Sequence, residues 1–86
     1  MDNHTALDGN AMGGLLHDVF GRDMTAATGT CLSCGAIRPV AEFVVYLRGP
    51  GVVARCRDCD AILIAITQRQ QVNCVDLTGL ATLTVT

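Results

Sequence analysis

Apolar residues recur at helical spacing in one stretch, near the start of the chain. Ala11, Met12, Leu15, Leu16, Val19 and Phe20 share a face, which predicts a helix over about residues 9–20. Asp8 is placed to cap its first turn, and Gly21 is placed to end it. Gly13 and Gly14 each weaken the helix by about 1 kcal/mol relative to Ala. So short a helix needs another element to cover its apolar face.

Beyond Asp23 the pattern changes to short extended segments divided by turn residues. Strands are expected at Thr25–Thr30, at Val40–Arg48 and at Val52–Arg55. The last two are joined by a turn at Gly49-Pro50-Gly51. Ala61 to Thr67 is an apolar run without alternation, which predicts a strand covered on both faces. Gln68–Gln71 reads as a polar turn, Val72–Leu77 as a strand and Thr78-Gly79 as a further turn. The C-terminus alternates: Ala81, Leu83 and Val85 on one face, Thr82, Thr84 and Thr86 on the other. That is the signature of an antiparallel strand with one wet face. The predicted architecture is α+β: residues 1–6 as a loose tail, and one domain over 7–86 with an N-terminal helix packed on an antiparallel sheet.

Size sharpens this picture. The chain has 86 residues and a mass of 9.0 kDa, half its residues are hydrophobic, and 3% are aromatic with no Trp. A single core made of Ala, Val, Ile and Leu is marginal at this length, and such chains commonly recruit a metal, disulfides or a partner subunit. Five cysteines are available for the first two. The longest apolar run, Ala61 to Ile66, is far short of the roughly 20 residues a membrane helix needs. With no basic leader at the N-terminus, the chain reads as a cytoplasmic protein without a membrane role. In that compartment paired cysteines point to metal binding or catalysis before structural disulfides.

Four of the cysteines form two C-x-x-C pairs, Cys31/Cys34 and Cys56/Cys59, 21 residues apart. Each pair closes a tight loop that turns two sulfurs toward one point, so the two pairs supply four thiolates for one tetrahedral ion. Gly35 and Asp60 follow the pairs, where a left-handed backbone is useful; Asp tolerates it better than most residues. Zinc is the expected metal, and a site filled by four protein ligands is structural rather than catalytic. Iron is the alternative, because tetrahedral sulfur sites also hold it; paired redox disulfides are a third reading. Arg55 and Arg57 flank Cys56, where they are placed to offset the negative charge of a metal–thiolate cluster. Cys74, the odd cysteine, reads as a small buried hydrophobe. His4 and His17 stand at no ligand spacing.

With these loops the chain resembles a zinc ribbon, two C-x-x-C loops at the tips of β-hairpins. More narrowly it is similar to a group of short bacterial proteins of unknown function. The resemblance is carried by Leu7-Asp8-Gly9-Asn10-Ala11, Val19-Phe20-Gly21, Cys31 to Gly35, Gly49-Pro50-Gly51-Val52-Val53 and Cys56 to Ala61. It implies a zinc-ribbon fold, no established activity, and an accessory role beside molybdopterin- or flavin-dependent oxidoreductases. Rubredoxins share the paired C-x-x-C motifs, but their aromatic core and second C-P-x-C-G segment have no counterpart here.

No phosphate loop, nucleophile elbow or zinc-protease helix is present, so the chain is not expected to be an enzyme. Six Arg and no Lys stand against seven Asp and one Glu, a formal charge of −2. That balance disfavours nucleic acid as the partner, although Arg48, Arg55 and Arg57 near the second loop are the contacts it would use. The expected role is a non-catalytic module that binds a protein partner or a second copy. Its apolar run, Ile62, Ile64 and Ile66, is the candidate interface.

Overall fold

In the computed structural model, which describes residues 7–48 and 51–85, the chain is α+β: one short α-helix and two antiparallel sheets. The tail expected at 1–6 and the turn residues Gly49 and Pro50 lie outside the described residues, as does the side chain of Arg48. The strands are β1 (Leu7–Asp8), β2 (Thr28–Cys31), β3 (Ile37–Pro39), β4 (Val44–Arg48), β5 (Gly51–Arg55), β6 (Ile62–Arg69), β7 (Val72–Asp76) and β8 (Leu80–Thr84). Five of them form a sheet in the order β1-β4-β5-β6-β7, and three form a second in the order β3-β2-β8.

The N-terminal segment follows its sequence signals. The Asp8 carboxylate accepts a hydrogen bond from the Asn10 N–H at 3.1 Å and opens a 3₁₀ turn over Gly9–Met12. Helix α1 (Gly13–Phe20) continues from it. It stops where Gly21 adopts a left-handed φ of 74° and donates its N–H to the His17 carbonyl. Met12 and Leu16 are buried, Leu15 packs beside them, and Ala11 and Phe20 remain exposed. The helical face is therefore narrower than its apolar positions suggest.

Two strands start later than their composition predicts, for a local reason. Asp23 accepts hydrogen bonds from both the N–H and the hydroxyl of Thr25, so Asp23–Ala27 turns and β2 starts at Thr28. Val40–Glu42 forms a 3₁₀ turn whose Val40 and Ala41 N–H groups donate to the Ala27 and Thr25 carbonyls, so β4 starts at Val44. The two departures are one feature, because each turn satisfies the other's backbone.

Two irregularities decide which apolar side chains enter the core. Between β5 and β6 the register runs Ala54↔Ile64 and then Arg55↔Ile62, leaving Leu63 as a bulge. Consecutive Leu63 and Ile64 are thereby both buried, with Ile66 following in alternation. Between β2 and β8 the register runs Thr30↔Thr82 and then Cys31↔Leu80, so Ala81 is bulged. Leu80 and Leu83 then both pack on the core, whereas Ala81 and Val85, expected inside, are exposed. The core gathers Met12, Leu16, Met24, Ala27, Val40, Phe43, Val45, Ala54, Leu63, Ile64 and Ile66 around the buried Cys31 and Cys56.

This placement corrects the expected interface. Ile64 and Ile66 are each 1% exposed and are core residues, while Ile62 is 47% exposed. The unbroken apolar run reflects a bulge that changes parity: Leu63, Ile64 and Ile66 face the core, while Ile62 and Ala65 lie on the opposite face.

Candidate metal centre

The two cysteine loops have the same backbone scheme. In the first, the Cys31 N–H donates to the Ala36 carbonyl, and the Gly35 N–H donates to the Cys31 carbonyl, at 2.8 and 2.9 Å. In the second, the Cys56 N–H donates to Ala61 and the Asp60 N–H to Cys56, both at 2.8 Å. The position four residues after the leading cysteine is left-handed in both loops, with φ of 78° at Gly35 and 67° at Asp60. Each loop thus folds back on its leading cysteine and points both thiols to the same side. The first sits between β2 and β3, the second between β5 and β6. The centre therefore joins hairpins of the two separate sheets.

All four sulfurs lie within 4.8 Å of one another. The cross-loop pairs Cys31–Cys59 and Cys34–Cys56 are at 3.6 and 3.7 Å. A tetrahedral zinc–thiolate site with bonds of about 2.3 Å requires sulfur separations of about 3.8 Å. The donor set fits a tetrahedral ion in number, element and spacing. Cys31 and Cys56 are buried, and Cys34 and Cys59 are exposed, so the cluster is anchored in the core and open to loading from solvent.

The thiols differ in acidity. The backbone N–H of Cys34 is the main influence that draws Cys31 down to about 7, helped by Ser33 and the neighbouring thiols. At Cys34 the largest single influence, the Ala36 N–H, also lowers the value. It is outweighed by desolvation and by Cys59, Cys56 and Cys31, which together push the thiol up to about 12. Within the first loop, Cys31 is thus the readier thiolate, and desolvation and thiol hydrogen bonds favour the neutral thiol of Cys34. A cation bound there would favour the deprotonated form of both, since thiolate, not thiol, is the ligand.

A residue not singled out from sequence clasps the two loops together. The Arg38 guanidinium, on β3 just past the first loop, donates Nε to Asp58 Oδ2 at 2.6 Å and Nη2 to Asp58 Oδ1 at 2.9 Å. Asp58 stands inside the second loop, between Cys56 and Cys59. Arg38 also donates Nη1 to Glu42 at 2.8 Å. Arg38 holds the Asp58 carboxyl below its ordinary value, with lesser help from Arg57. The Arg38–Glu42 spacing of four and the acid between two cysteines were the available signals. The contact runs between sheets, so no local pattern announced it.

The arginines expected to flank the cluster each face an acidic residue beside it. Arg55 donates to the Asp60 carbonyl at 2.8 Å and lies 3.9 Å from its carboxylate, and Arg57 lies 3.7 Å from Glu42. Arg38, Arg55 and Arg57 are thus matched by Glu42, Asp58 and Asp60 around the centre. Cys74 is exposed on β7 rather than buried, and His17 is exposed on α1 outside the cluster.

Gly79 buttresses the site from a third direction. Its carbonyl accepts the Leu32 N–H of the first loop at 3.0 Å. A Cβ on Gly79 would collide with the Ile62 carbonyl just past the second loop. The turn at Thr78-Gly79 thus lies between the first loop and the start of β6, which explains why this position is a glycine.

The chain belongs to a family of unknown function (DUF6510), whose model matches residues 1–86. No curated protein and no solved structure is detectably similar to it. No helix among the described residues is long and apolar enough to cross a membrane.

Proposed function

We propose that this protein is a zinc ribbon that holds one structural Zn²⁺ through Cys31, Cys34, Cys56 and Cys59 and acts as a non-catalytic protein-interaction module. The observation that carries the reading is the set of four sulfurs, two from each sheet, within 4.8 Å of one another. Four protein ligands complete a tetrahedral zinc shell and leave no position for water or substrate. Zinc bound there supplies a cross-link between the sheets, on the order of 10 kcal/mol of folding free energy. That is the help a core with few aromatic residues needs.

The surface offered to a partner is the face of the five-stranded sheet opposite the core. Tyr46, Val53, Arg55, Asp60 and Ile62 line an open groove there. The register places Tyr46, Val53 and Ala65 in one row and Val44, Arg55 and Ile62 in the next. Nucleic acid is the weaker reading, because Arg55 and Arg57 already face carboxylates of their own chain.

The test is metal content and an absorption spectrum on protein purified without added metal. One zinc per chain and no visible colour is the expected result. Iron with a red colour would make the protein an electron carrier, and absence of metal would end the structural-zinc reading. Tyr46→Asp combined with Ile62→Asp should leave zinc content unchanged and abolish recovery of a bound protein partner from cell extract.

A further inference from the structure

Among the described residues, the long unpaired edge of the five-stranded sheet is β7. It pairs with β6 through a two-residue hairpin in which Arg69 lies opposite Val72, and Gln70 and Gln71 both have positive φ. In such a hairpin the flanking pair exchanges both backbone bonds. By alternation, Thr67–Cys74 and Ala65–Asp76 do the same. Asn73 and Val75 therefore turn their N–H and C=O groups away from β6, toward the open edge.

The other edges carry the features that discourage strand addition. β1 has two residues, β3 carries Arg38 and Pro39, and β8 is bulged at Ala81. β7 is straight, has no Pro, and exposes Val72 at 58%.

We infer that a second copy of this chain pairs with β7 antiparallel about a two-fold axis at Cys74, the middle residue of Val72–Asp76. In that register Asn73 of one copy exchanges both backbone bonds with Val75 of the other. Val72 lies opposite Asp76 of the second copy. Arg69, which makes no ion pair among the described residues, stands on the same row as that Asp76. The edge is thus complementary to itself in charge and covers its own exposed valine. The two Cys74 residues face each other as a non-hydrogen-bonded pair, the closest cross-strand spacing. The inference deepens the interaction-module reading by naming one partner, and rests on it.

Sedimentation of the metal-loaded full chain, with metal content measured on every sample, tests this. A dimer of the 9.0 kDa chain is expected, joined through Cys74 by a short bis-maleimide and not joined in Cys74→Ser. Asn73→Pro removes an outward donor and leaves the β6 ladder intact, so it should give a monomer with unchanged circular dichroism and metal. Arg69→Glu, which touches no ladder bond, should weaken dimerisation several-fold and serves if the proline variant does not fold. A zinc-loaded wild type that stays monomeric at millimolar concentration would overturn the pairing and leave the zinc reading standing. A dimer indifferent to both variants would overturn it as well. Loss of zinc in the wild type would instead count against the module reading itself.

Discussion

The two cysteine loops have the same hydrogen-bond scheme but are supported differently. The first depends on backbone packing: Gly35 takes the left-handed position, and the Gly79 carbonyl receives the Leu32 N–H. The second depends on side-chain charge: Asp60 takes the left-handed position, Arg55 holds the Asp60 carbonyl, and Arg38 holds Asp58. One is fixed by steric fit that salt and pH do not affect. The other is fixed by ion pairs at the surface, which both can weaken. Equivalent loop geometry is thus reached by two physical routes.

The largest expected effect removes the comparison altogether. Chelation of the metal, or Cys34→Ser, should unfold the domain, with loss on the order of 10 kcal/mol. Circular dichroism and metal content read it; an unchanged thermal midpoint would show that the loops hold without an ion.

Gly79→Ala should destabilise by about 3 kcal/mol, since the new methyl meets the Ile62 backbone rather than a flexible side chain. Hydrogen exchange at Leu32 should accelerate more than at the Cys56 amide, which separates the supports of the two loops.

Arg38→Ala should lower the thermal midpoint modestly and loosen the second loop. The difference from wild type should shrink at high salt, and Arg38→Lys should not restore it, because a lysine lacks the forked donors. The pH dependence has a definite sign. Asp58 is held below its ordinary value of 3.8, chiefly by hydrogen bonds from Arg38. Its contribution is therefore present in full above that value and is lost as the pH falls below it. Acid titration of wild type against Asp58→Asn, followed by thermal melts, reads this difference.

The smallest effect concerns the left-handed positions. Gly35→Ala should cost about 1 kcal/mol, whereas Asp60→Gly should change stability by less than about 0.5 kcal/mol. Asp already tolerates the conformation, and the Arg55 bond goes to a backbone carbonyl that glycine retains. Urea denaturation resolves the contrast.

Some of this was legible along the chain because its causes are local. Asp8, Gly21 and the apolar spacing between them announced the N-terminal helical segment. The two C-x-x-C spacings announced loops that turn paired sulfurs to one side, and the residues after them announced left-handed turns. Each rests on geometry within about five residues, which sequence spacing encodes directly. What only the tertiary structure decided are the contacts between segments distant in sequence. The bulges at Leu63 and Ala81 bring Leu63 and Leu80 into the core beside Ile64 and Ile66 and leave Ile62 and Ala81 outside. Arg38 and Asp58, twenty positions apart, and Gly79, lodged against Leu32 and Ile62, meet because the two hairpins belong to different sheets that converge on one cluster of sulfurs. A strand's side chains alternate by parity, and one extra residue reverses it. That residue is set by what the strand must pack against, and so it is absent from the pattern of the strand itself.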